Sequence, residues 1–179
     1  MESAKGELAA SLGEPWAEVI DFGVQWDSGA PLPHIVSSGS TTVLLCRANV
    51  PRPDWDGTNS HSVSTSDEGT SIELIFRSCS SIKFGSPNDE VLHGHPLYGR
   101  GLEFYAAHKV HNSGWIEELE AIQASHHNYR GPRRVQGDHY ILTFQDDTFE
   151  AVAETVDVRT VQGTLDELLA TAARSIVSD

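Results

Sequence analysis

Apolar positions in this chain fall into short runs and alternations, and each predicts an element. Thr41 to Ala48 (TTVLLCRA) and Thr70 to Arg77 (TSIELIFR) are β-branched and apolar over an ordinary strand length, so both predict buried strands. His139 to Gln145 (HYILTFQ) and Thr148 to Val156 (TFEAVAETV) predict two more, joined as a tight hairpin across Asp146 and Asp147. Trp16 to Trp26 (WAEVIDFGVQW) reads as a strand with irregular apolar spacing, followed by the rigid turn Gly29-Ala-Pro-Leu-Pro33, where proline fixes φ and removes donors. Ser81 to Phe84 continues the 70–77 strand or hairpins back from it. From Glu103 to His111 the pattern alternates, with Phe104, Ala106, His108 and Val110 on one face.

Two segments carry helical spacing. Gly114 to His127 (GWIEELEAIQASHH) is amphipathic, with Asn112 or Ser113 as its N-cap. Trp115, Leu119 and Ile122 share one face, and at about 100° per residue His126 falls on it too. Thr164 and Glu167 form a capping box that opens a final helix through Ile176. No regular βαβ alternation is present. The expected class is therefore α+β, a mostly antiparallel sheet of about six to eight strands with two helices packed on it. Residues 1–15 are small and polar and read as a flexible N-terminal segment, with 16–179 as one α+β domain. Pro51 to Gly69 is rich in Pro, Asp, Ser, Asn and Gly, the composition of a mobile loop or a lid.

Charge narrows the choice of partner. The 179 residues carry a formal net charge of −14, so nucleic acid is excluded as a partner and a basic protein is favoured. The one basic cluster, Arg130, Arg133 and Arg134, is too short for a nucleic-acid stripe, although it suits a single phosphate or carboxylate. No apolar stretch reaches membrane-spanning length and no signal peptide is visible, so a cytoplasmic location is expected, with Cys46 and Cys79 as buried reduced thiols.

Histidine is the chemistry that stands out. Seven of the nine histidines lie between His93 and His139, and imidazole both transfers protons near neutrality and binds metals. His93-Gly-His95-Pro96 is the sharpest local feature; two imidazoles with a carboxylate and an open position suit a divalent metal, which makes His93 and His95 the candidate metal ligands and the metal an optional cofactor. His126, on the core side of its helix, needs a polar partner. Glu150 and Asp146 flank the hairpin, and a buried carboxylate beside a histidine makes an acid–base dyad. The candidate catalytic set is therefore His95, His126, His139 and Glu150. Asn88, Asp89, Glu90, Tyr98 and Arg100 of the glycine-rich 85–101 loop, with His108 and Trp115, are the candidate ligand-binding set. No G-x-S-x-G elbow, Walker loop or dinucleotide fingerprint occurs, so serine catalysis and nucleotide binding find no support.

The segments Phe84-Gly-Ser-Pro-Asn-Asp-Glu90, Gly94-His-Pro-Leu-Tyr-Gly-Arg-Gly-Leu102 and His139-Tyr-Ile-Leu-Thr-Phe with Phe149-Glu150 resemble a family of bacterial proteins without an assigned activity, over roughly Trp16 to Val156. The resemblance implies a bacterial cytoplasmic origin and carries no residue roles. Two functional readings follow from the residues. One is a small-molecule-handling protein, an enzyme using histidine and carboxylate acid–base chemistry in a polar pocket. The other is a non-catalytic acidic interaction protein, immunity- or antitoxin-like, that binds a basic partner.

Overall fold

The structure is a computed structural model and describes residues 10, 12–50, 62–131 and 135–177. Among these, nine strands form two antiparallel sheets. In chain order the elements are β1 (Trp16–Ile20), β2 (His34–Ser38), β3 (Thr41–Arg47), β4 (Gly69–Arg77), β5 (Ser81–Gly85), a 3₁₀ helix (Asp89–Gly94), β6 (Ala107–His111), α1 (Gly114–Gln123), β7 (Asp138–Thr143), β8 (Thr148–Ala153), β9 (Thr155–Gly163) and α2 (Leu165–Val177). One sheet has the order β1-β6-β7-β8-β5 and the other β2-β3-β4-β9.

The sheets pack face to face. Leu44, Cys46, Ile72, Leu74 and Phe76 from one meet Tyr140, Leu142, Phe149, Ala151 and Ala153 from the other, with Trp26 and Phe144 closing one end. Each outer face is then covered. Leu165, Ala172 and Ile176 of α2 pack on Val43 and Leu45, and the Thr164 hydroxyl accepts the Glu167 amide to start that helix. Over the five-stranded sheet lies the 86–105 segment, whose Leu92, Leu97 and Leu102 pack on Ala17, Val110 and Ile141. With both faces covered, β3, β7 and β8 are almost continuously buried, which is why their sequences run apolar and do not alternate. The edge strand β9, by contrast, shows the alternation of a half-exposed strand.

One close approach fixes the covering segment. Gly101 has φ +94°, and a Cβ there would sit 2.0 Å from the Ala17 carbonyl oxygen. Only glycine allows the chain so near β1, where the Ala17 amide donates to the Arg100 carbonyl.

The mixed, mostly antiparallel α+β class is as the sequence predicts, but the single sheet of six to eight strands is corrected to two sheets of five and four. The 148–156 run is not one strand. It breaks at Glu154, whose amide bonds the Arg77 carbonyl, and the chain passes from one sheet to the other. β1 ends at Ile20 rather than Trp26, which makes only an isolated bridge to Ala48. The strand His34–Ser38 is an addition. The 85–101 loop contains the 3₁₀ helix, and α1 stops at Gln123, short of His126. Of the 51–69 segment, residues 51–61 lie outside the described residues, as do Arg133 and Arg134.

Candidate functional site

The outer face of the five-stranded sheet should be apolar beneath its cover, yet its centre is polar. Alternation along β6, β7 and β8 turns His108, His139 and Glu150 toward that face, while their neighbours Tyr140, Phe149 and Ala151 enter the core. Register then decides who meets whom. Glu150 lies opposite Ile141 on β7 and opposite Lys83 on β5, so His139 is its diagonal neighbour on the same face.

Glu150 is the hub. Its side chain is 13% exposed and its Oε2 accepts a 2.8 Å hydrogen bond from His139 Nε2. Lys83 Nζ stands 3.5 Å from the same oxygen, and His95 Nε2 stands 4.0 Å from Oε1, beyond direct hydrogen-bond reach. Burial alone would push the carboxyl upward. The hydrogen bond from His139, then His95, then the Lys83 charge together outweigh it and hold Glu150 well below the usual carboxylate range. Glu150 is thus a fixed negative charge and hydrogen-bond acceptor.

That acceptor fixes the neighbouring ring. A carboxylate offers no proton, so Nε2 of His139 carries one, and in the neutral ring Nδ1 is left with a lone pair. Nδ1 faces Ser113 Oγ at 2.8 Å. Ser113 is the N-cap of α1, and its Oγ accepts the Ile116 amide at 3.2 Å. The serine's own O–H is therefore free to donate to Nδ1, and one hydrogen-bonded chain runs Glu150–His139–Ser113. Trp115 walls it, with its ring edge-on to His139 at 5.0 Å and Lys83 Nζ 3.9 Å above its centroid. His95 is oriented in the same way, because its Nδ1 accepts the Leu97 amide at 3.2 Å and its Nε2 is turned toward Glu150.

His108 is built differently. It is fully buried; Nε2 accepts the Glu103 amide at 2.9 Å and Nδ1 donates to the Ile141 carbonyl at 3.2 Å. Both nitrogens are used by backbone, and burial lowers its pKa to about 4, so it is a neutral strut that ties the covering segment to β7.

The structure therefore brings together His95, His139, Glu150 and Trp115 from the sequence-predicted set. It adds Ser113 and Lys83, which the sequence reading passes over. His126 is corrected: beyond the end of α1 it is exposed and stacks on His127 at 4.6 Å, so it is no core-side partner. His93 is exposed and edge-on to Tyr98, and among the described residues no group of three or more His, Cys, Asp or Glu side chains is placed to hold a metal. Asp89 accepts a short hydrogen bond from the Tyr105 hydroxyl, Arg100 pairs with Glu14 at 3.0 Å, and Tyr98 packs against Phe104. Asn88 precedes the 3₁₀ helix without a side-chain cap bond, and Glu90 is exposed in its first turn. These residues belong to the cover and its attachments.

Beside Ser113 opens a cleft of about 1010 Å³ between α1 and the ends of β6 and β7, lined by Ser113, Ile116, Glu117, Lys109, Asp138 and Glu154 among others. No protein-family model matches this chain, and no curated protein or solved structure does either. Among the described residues, no helix is long and apolar enough to cross a membrane.

Proposed function

We propose that this protein is a small-molecule-handling enzyme that uses His139 as its acid–base group, with Glu150 as the residue that positions it. The observation that carries the reading is the 2.8 Å bond from His139 Nε2 to a carboxylate that is held ionised although largely buried. A ring fixed in one tautomer by a carboxylate, with its other nitrogen directed at a hydroxyl beside a cleft, is arranged for proton transfer. His95 and Lys83 supply further positive or proton-bearing groups around the same carboxylate, and Trp115 screens the ring from water.

The test is a small-molecule ligand screen by thermal shift, followed by turnover assays on the hits with wild type, His139→Gln and Glu150→Gln. Turnover lost in both variants, with folding retained, supports the reading. Equal turnover in all three removes it. The acidic-interaction reading rests on small size, antiparallel sheets and the net charge of −14, and salt-sensitive capture of a basic protein, unchanged in His139→Gln, would support it instead.

A further inference from the structure

Ser113 is the hydroxyl that hydrogen-bonds His139 of the His139–Glu150 pair, and it borders the cleft. Resting on the acid–base reading above, we propose that Ser113 is a catalytic nucleophile and that the cleft takes acyl esters or amides whose groups are neutral or cationic.

Three observations support the assignment. Ser113 Oγ lies at hydrogen-bond distance from a base that is itself oriented by a carboxylate, the arrangement that activates a hydroxyl. The direction of the proton chain is set at both ends: Glu150 can only accept, and Ser113 Oγ already accepts the Ile116 amide. The hydroxyl proton therefore points at His139 Nδ1. The third observation is the cleft itself, large enough for a small substrate and lined in part by Ser113, which is 6% exposed.

The chemistry balances. Ser113 Oγ bonds to the acyl carbon as its proton passes to His139 Nδ1. That proton then goes to the leaving alkoxide or amine as its bond to the acyl carbon breaks. Water repeats the sequence on the acyl-serine, releases the acid and restores the hydroxyl. Glu150 stays ionised throughout and stabilises the imidazolium.

The cleft's charge selects the substrate. Among the described residues, Glu117 and Glu154 line it, beside the Lys109–Asp138 pair at 2.8 Å and His111, which is paired to Glu18. Anionic acyl groups are repelled, whereas neutral and cationic ones are admitted.

The experiment uses the full chain and a neutral fluorophosphonate, with intact-mass measurement and peptide mapping, alongside p-nitrophenyl acetate and its anionic succinate counterpart. The expected result is one adduct per chain, on Ser113, and a faster release of nitrophenol from the acetate than from the succinate. Labelling should slow roughly 100-fold in Glu150→Gln, with the fold retained by circular dichroism. Adducts on another residue, or none, overturn the proposal. If ligands from the screen are turned over without any acyl-serine, the nucleophile is wrong while the acid–base reading stands. Absence of both turnover and adduct removes both.

Discussion

Acidification should loosen this protein through His108 before any carboxylate in the site is protonated. The ring is buried between the Glu103 amide and the Ile141 carbonyl, and burial lowers its pKa from 6.5 to about 4. Below 6.5 the unfolded chain takes up a proton that the folded chain refuses. The His108 contribution is therefore complete above pH 6.5, falls away as pH drops, and stops changing below about 4. A shift of that size corresponds to roughly 3 kcal/mol in full, and to about 2 kcal/mol by pH 5. Glu150 acts in a lower window: its folded pKa is depressed, so its contribution persists above its unfolded value of 4.5 and is lost only below it. Urea unfolding at about pH 7.5 and about pH 5 on wild type and His108→Gln gives the assay, because glutamine keeps a donor and an acceptor but does not titrate. The variant should start less stable and lose about 2 kcal/mol less than wild type between the two conditions. Parallel losses in the two proteins would refute the argument.

Other perturbations give distinct outcomes. Gly101→Ala should destabilise by several kcal/mol or prevent folding, since its Cβ would overlap the Ala17 carbonyl at a positive φ; the melting temperature reads this directly. Ser113→Ala should cost about 1 kcal/mol from the lost cap alone, measured by urea unfolding, and Ser113→Thr should recover most of it. Neither Cys46 nor Cys79 should react with a thiol reagent until the protein unfolds, because burial removes access and raises both thiols; prompt labelling of the native protein would contradict their packing. Arg47→Met should destabilise by about 3 kcal/mol in denaturant titration, because the buried guanidinium serves the Ser71 hydroxyl and the Gly163, Ser64 and Asp67 carbonyls at once.

The parts of this fold that are legible in the sequence are those where one local rule dominates. β3 and β4 are β-branched runs buried on both faces, and the Thr164 cap and the Asp146-Asp147 turn are marked by residue chemistry. The second sheet is not legible, because nothing between Ala153 and Thr155 signals a change of partner; the crossing is made by a single backbone bond from Glu154 to Arg77. His126 misleads because helical periodicity carries no stop signal at Gln123, where Ala-Ser-His-His contains neither glycine nor proline. His139 and Glu150 are findable as a carboxylate and a histidine on one hairpin. Their diagonal contact depends on register, which pairs Glu150 with Ile141. Ser113 is hidden by its other role, since an N-cap serine is fully explained before any histidine is considered. Lys83 is one polar residue in a short strand, and only its pairing with Glu150 gives it meaning.

The proposed role requires Glu150 to fix the proton of His139 on Nε2 and leave Nδ1 as a base toward Ser113. Long-range ¹⁵N–¹H spectra of the imidazoles at about pH 8.5, with His139 assigned through His139→Gln, read this tautomer directly. Wild type should show a protonated Nε2 and a bare Nδ1, with that preference weakened in Glu150→Gln. A proton on Nδ1, unchanged by Glu150→Gln, would contradict it.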